Sequence, residues 1–204
     1  MRKFSKRLTI ITIIISLFSC STSEPEPTFC LHTADFHNQL DYDIYNFILE
    51  KYYSDSDVVI IRQKVNYTLS PYFYYHEFYD DIKQNMPKVD TTAYLNFISI
   101  NDSINYLDNS FKLKTSTVKL ISESEYDYFF DKGHDTWIYF YRKYPKSVGL
   151  IELSRIGLNK EKTQAVVELL DSKGWTGSRG YMYFISIEKN NWVVTNTKLT
   201  RTNF

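Results

Sequence analysis

The pattern of apolar and polar positions divides the chain into a helical first part and a strand-rich last part. Residues 36–53 carry Phe36, Leu40, Ile44, Phe47, Ile48 and Tyr52 at helical spacing, with Asp41, Asp43 and Glu50 mostly off that stripe. This predicts an amphipathic helix with Asp35 as its N-cap. Residues 57–65 are rich in β-branched side chains and predict a strand. A loop and then a short helix are expected over 70–89, the helix near 76–85. A further helix is expected over 91–99, capped by Asp90, and a short strand over 118–122. Trp137, Phe140, Tyr141 and Tyr144 recur at i, i+3, i+4 and i+7, a helix that Pro145 stops.

The last third changes period. Residues 149–157, 162–170, 179–187 and 191–195 read as strands, separated by turn residues at Asn159-Lys160, Lys173-Gly174 with Gly177, and Lys189-Asn190-Asn191. Short connections between neighbouring strands favour antiparallel pairing. The expected fold is α+β, with N-terminal helices packed on a C-terminal four-stranded antiparallel meander.

The first twenty residues have a different character. Four basic residues precede an apolar run from Leu8 to Phe18, followed by Ser19 and Cys20. That is the layout of a secretory signal, and the run is shorter than the roughly 20 apolar residues of a spanning helix. Leu17-Phe18-Ser19-Cys20 resembles the lipobox of bacterial lipoproteins, which implies cleavage before Cys20 and its acylation. The expected division is a signal peptide at 1–19, a lipidated tether at 20–28 and one globular domain at 29–204. Two or more acyl chains would hold such a protein stably on a membrane. By resemblance to the sorting rule of enteric lipoproteins, Ser21 favours the outer membrane. Glu24 and Glu26 in the Pro-rich tether resemble acidic surface-export tags, so the periplasmic and outer faces both stay open.

Charge and cysteine usage narrow the partners. All four basic residues of the leader go with it, so residues 20–204 carry an acidic excess of four. An acidic chain without a basic run is a poor match for nucleic acid. Cys30 has no partner once Cys20 is acylated, and reads as a small buried hydrophobe. The 18 Tyr, 14 Phe and 3 Trp suit a core, a sugar groove or a partner surface.

The chain from Tyr144-Pro145-Lys146-Ser147-Val148-Gly149 through Ser154-Arg155-Ile156-Gly157-Leu158-Asn159 to Thr163-Gln164-Ala165 resembles a group of uncharacterised bacterial lipoproteins and secreted proteins. They share a pattern like YPxSxGxxxxSRxGFNxxxTQA, an aromatic strand, here Gly180-Tyr181-Met182-Tyr183-Phe184, and a final strand with Trp, here Asn191-Trp192-Val193-Val194. The likeness covers roughly residues 137–194. It implies fold and location and transfers no catalytic residue.

Two functional classes follow. The first is a non-catalytic binding or interaction module contacting an envelope protein or a glycan. Its candidate contact residues are Tyr72, Tyr75, Tyr181 and Tyr183, the last two expected to be exposed on a strand. Arg155, Asn159 and Gln164 join them if they converge with Ser154 on a polar site, where Arg155 would supply a fork for carboxylate or phosphate; otherwise the motif is architectural. The second class is a small envelope hydrolase with His76 or His134 as base. No GxSxG, HExxH, P-loop or dinucleotide-binding glycine set accompanies either histidine. His32, Asp35 and His37 fit no standard zinc spacing, and no cofactor is indicated.

Overall fold

In the computed structural model the described residues are 27–35, 38–65, 71–131, 136–174 and 177–203. The signal peptide, Cys20 and most of the tether lie outside them. The first helix, α1, spans Gln39–Tyr53. Its cap is Asn38 rather than Asp35. The Asn38 side chain accepts from the Asp41 N–H at 3.1 Å, and Asp41 in turn accepts from the Asn38 N–H at 3.3 Å, a reciprocal capping box. The buried face also differs from the expected stripe. Tyr42, Ile44, Tyr45, Ile48, Leu49 and Tyr53 point inward, while Tyr52 is 43% exposed. Tyrosine can occupy the inner face because its hydroxyl finds a partner there. Tyr45 donates to the Ser154 carbonyl at 2.8 Å, and Tyr42 accepts from the Asp108 N–H at 3.0 Å.

Strand β1 (Val58–Arg62) follows, then β2 (Lys64–Val65), α2 (Pro71–Asn85), α3 (Thr91–Ile100), β3 (Asn105–Tyr106) and β4 (Thr117–Ile121). Helices α4 (Glu123–Phe130) and α5 (Thr136–Lys143) lead to β5 (Ser147–Leu153), β6 (Gly157–Leu158), β7 (Gln164–Ser172), β8 (Ser178–Glu188) and β9 (Asn191–Asn203). Helix α2 starts at Pro71, a residue suited to a first helical position, so the expected loop over its first half is helix.

The four-stranded antiparallel meander is overturned. The sheet has seven strands and is mixed, in the order β4-β1-β5-β7-β8-β9 with β6 paired to β7. Strand β1 runs parallel to both β4 and β5, while β5, β7, β8 and β9 are antiparallel neighbours. β1 and β4 are strands in sequence as expected, but they extend the sheet instead of standing apart from it. The separate β2–β3 pair is antiparallel.

Both faces of the sheet are covered. Helix α1 packs on Val59, Ile61, Ile151, Leu153, Val167, Leu169, Tyr183 and Ile185. On the opposite face α2 and α3 bring Phe78, Ile82, Tyr94 and Phe97 against Val166, Met182 and Phe184. Beside them α4 and α5 bring Phe129, Phe140 and Tyr144 against Ile60, Ile121 and Leu150. Successive strand residues therefore enter different cores, giving three layers with the sheet in the middle. Cys30 is exposed, against the expectation of a buried thiol.

Helix α3 lies so close to β6 that a Cβ on Gly157 would overlap the Phe97 backbone. Backbone cannot give way as a flexible side chain would, so helix and strand must separate if this position gains a methyl. Gly157→Ala is expected to lower stability by about 1–3 kcal/mol, an overpacking cost. Urea unfolding checks this, and an unchanged midpoint would show that α3 is not seated on β6.

Candidate functional site

The motif residues do not converge on one polar site: Arg155 holds one end of α3, Asn159 and Gln164 hold the other, and Ser154 joins strands. At the C-terminal end of the helix, Arg155 donates from Nη1 to the Ile100 carbonyl at 2.9 Å. Its backbone N–H donates to Asn101 Oδ1 at 2.7 Å, and Asn101 Nδ2 donates to the Phe97 carbonyl at 2.9 Å. The last carbonyls of a helix lack intrahelical donors, and these side chains provide them. Midway, Asn96 Oδ1 accepts the Leu158 N–H at 2.9 Å.

The N-terminal end is held in the same way. Asp90 caps α3 by accepting from the Thr92 N–H at 2.8 Å. Gln164 Oε1 accepts the Asp90 N–H at 2.7 Å, and its Nε2 donates to the Lys88 carbonyl at 2.9 Å. Asn159 Nδ2 donates to Asp90 Oδ2 at 3.2 Å, while its Oδ1 accepts the Thr163 and Gln164 N–H groups at 2.8 and 2.9 Å. Ser154 bridges strands, with Oγ accepting the Glu168 N–H at 2.8 Å. The hydrogen bonds of the motif thus join a helix to a sheet, which is its architectural reading.

A second polar cluster sits at the C-terminal ends of the parallel strands, the edge where open α/β sheets commonly take ligands. Here the chain fills it with its own groups. Arg62 donates from Nε and Nη2 to Glu123 at 2.8 and 2.9 Å, and from Nη1 to Glu152 at 2.8 Å. Lys64 pairs with Glu123 at 3.0 Å, and the guanidinium lies 3.6 Å from the Tyr126 ring centroid. Burial alone would raise the Glu123 carboxyl, but the bonds from Arg62 and Lys64 outweigh it and hold it below its ordinary value. Next to this cluster the buried Gln63 receives the N-terminal segment. It accepts the His32 N–H and donates to the His32 carbonyl, both at 2.8 Å.

The remaining predicted contact residues separate. Tyr181 and Tyr183 lie on β8 and face α1. Tyr183 is buried, against the expected exposure, and Tyr181 is half-buried. Their rings form a chain with Tyr52, with centroids 6.2 Å apart for Tyr181–Tyr183 and 5.0 Å for Tyr183–Tyr52. Asp171 lies beside them, held by Lys173 at 2.9 Å, with its Oδ1 buried and without a hydrogen-bond partner among the described residues. Burial, with the Asp171 carboxylate adding to it, pushes the Tyr53 hydroxyl well up. Leu199, opposite Tyr181 on β9, is 52% exposed, so this corner of the sheet is not capped by α1. Sequence reasoning missed Tyr52 and Asp171 as neighbours of the two strand tyrosines. The signal present was Tyr52-Tyr53 closing a helix, of which only one ring can turn inward.

Tyr72 and Tyr75 lie on α2, but their side chains fall outside the described residues, as does that of His76. His37 and His134 also fall outside them. Among the described residues no group of three His, Cys, Asp or Glu side chains gathers as a metal-ligand set, and no helix is long and apolar enough to cross a membrane. No family model, curated protein or solved structure matches the chain.

Two predictions follow from the clamp on α3. Gln164→Ala, which strips a partner from the Asp90 N–H and the Lys88 carbonyl, is expected to cost about 1–2 kcal/mol in urea unfolding. The Asp90 carboxyl is held below its ordinary value by its bonds to Thr92, with Asn159 adding a smaller share. A lowered folded value stabilises the fold above the unfolded value and is lost as pH falls through the folded one. Asp90→Ala should therefore destabilise at pH 7 by about 1 kcal/mol, the worth of a cap. Its gap to wild type should narrow below about pH 4, where carboxylates protonate. A gap independent of pH would assign Asp90 no role as an ionised cap.

Proposed function

We propose that this chain is a lipid-anchored binding module of a bacterial cell envelope, and that it takes a glycan at the tyrosine face where α1 ends over β8. The observation that carries the binding reading is the ring chain Tyr52–Tyr183–Tyr181, open to solvent at Tyr52 and continued by exposed Leu199. Sugar rings present C–H faces that pack on aromatic faces, and hydroxyls that need acceptors. The Asp171 carboxylate lies beside the rings, paired with Lys173. Lys173 balances that carboxylate's charge, which favours a neutral hydroxylated ligand over a second anion. The anchor reading rests on the leader ending at Cys20 and on the resemblance at residues 144–165 to bacterial lipoproteins and secreted proteins.

Both halves are testable on the full chain. Wild type should partition with membranes after alkaline washing, and Cys20→Ala should lose the acyl label and enter the soluble fraction. Retention of Cys20→Ala on membranes would reject the lipid anchor. On an array of bacterial envelope polysaccharides, Tyr52→Ala combined with Tyr181→Ala should weaken capture at least tenfold, about 1.4 kcal/mol. The melting temperature should stay within about 2 °C, less than a 1 kcal/mol core loss produces in a chain of this size. A large melting shift with capture intact would make these rings core, and capture of an envelope protein alone would replace the glycan.

A further inference from the structure

Strand β9 carries two bulges, and the second of them places an arginine whose Nε and Nη2 have no acceptor among the described residues. Pairing with β8 slips between Gly180 and Tyr181, because Gly180 pairs with Arg201 and Tyr181 with Leu199. Thr200 is the additional residue. Such a bulge re-aims the side chains around it. Here they gather over Gly180 on the side of the sheet covered by α2 and α3. A Cβ built on Gly180 would stand 2.6 Å from Thr200 Oγ1, 2.9 Å from Arg201 Cγ and 3.4 Å from Glu168 Oε1. The glycine makes room for the arginine stem. Thr200 Oγ1 donates to Glu168 Oε1 at 2.6 Å, and Glu168 is buried.

Arg201 Nε and Nη2 are both buried and have no hydrogen-bond partner among the described residues, although the residue as a whole reaches the surface. Leaving charged donors buried and unpaired is among the more costly arrangements in a fold. The identity of the two atoms matters. Nε and Nη2 are the two parallel donors along one edge of a guanidinium, the edge that meets both oxygens of a carboxylate or phosphate. Arg62 uses these same two atoms on Glu123. Among the described residues, the Arg201 fork is complete, buried and without an acceptor.

We infer that Arg201 is the anchor of a carboxylate-binding site on the α2–α3 side of the sheet, opposite the tyrosine face and independent of the glycan reading. Glu168 beside the arginine stem selects among anions. A singly charged, planar carboxylate meets the fork with one negative charge, whereas a phosphate dianion brings a second toward a buried carboxylate.

The test uses the full chain in detergent, with acetate and 3-phenylpropionate as probes and with acetamide and inorganic phosphate as comparators. The arginine Nε–H resonances report the fork directly and need no variant. One of them should shift saturably with the carboxylates, little with phosphate and not at all with acetamide. Arg201→Lys, which keeps the charge and loses the fork, should weaken carboxylate binding at least tenfold and remove that resonance. Tyr52→Ala should leave the response unchanged, which separates this site from the glycan surface. An equal response to acetamide, a stronger one to phosphate, no response to any probe, or full carboxylate affinity in Arg201→Lys would each overturn the assignment.

Discussion

The architecture depends on burying β1 on both faces at once. Val59 and Ile61 enter the core under α1, while Ile60 between them enters the core under α4 and α5. A strand in that position needs a neighbour on each edge to satisfy its backbone, and a helix on each face to exclude water. Parallel partners β4 and β5 meet the first need. Parallel partners in turn require crossover connections, which is why α2–α3 and α4–α5 stand between consecutive strands of this half of the sheet. The antiparallel half from β5 to β9 needs only short connections, and among the described residues it contains no α-helix.

The polar network belongs to the same constraint. Helix α3 has few polar residues, and its ends would leave carbonyl and N–H groups without partners against an apolar sheet. Arg155 and Gln164 bond backbone groups at its two ends from the sheet side, Asn159 bonds the carboxylate of the Asp90 cap, and the C-cap Asn101 bonds the Phe97 carbonyl. A binding site and a helix clamp call on the same residue types because both need directional donors and acceptors. What separates them is where the partners lie, and here the partners are groups of the chain itself, mostly backbone.

Much of the local structure was legible in the sequence. The cap at Asp90, the stop at Pro145 and the run of strands after residue 147 all follow from local chemistry. What was not legible is long range. Residues 57–65 read as a strand, but nothing local states that they pair with residues 117–121 and 147–153. The uninterrupted run Val58-Val59-Ile60-Ile61 was the available hint, since a strand buried on one face alternates instead. Helix α4 was missed although Ser122-x-x-Glu125 resembles a capping signature, with Ser122 accepting the Glu125 N–H. Its rings Phe129 and Phe130 then pack on Phe140 and Trp137 of α5. At the candidate sites, a spacing of two puts Tyr181 and Tyr183 on one face of β8, but only the packing of α1 brings Tyr52 to them and only the β7–β8 register brings Asp171 near. Arg201 carried no motif, because its unmet fork arises from a bulge and a glycine on the neighbouring strand.

The attachment of the N-terminal segment also has a mechanical side. His32 is bonded in both directions to Gln63, the residue that follows β1, and Asp35 is tied to Tyr106 through its backbone N–H and its carboxylate. Tension applied at the N-terminal end is thus delivered to the residue after β1, an inner strand flanked by β4 and β5, and to β3 of the small two-stranded pair. Several hydrogen bonds and the stacked His32–Tyr106 rings share that load. A chain held by this end is pulled beside a strand that has a neighbour on each edge, so that strand cannot be peeled away alone.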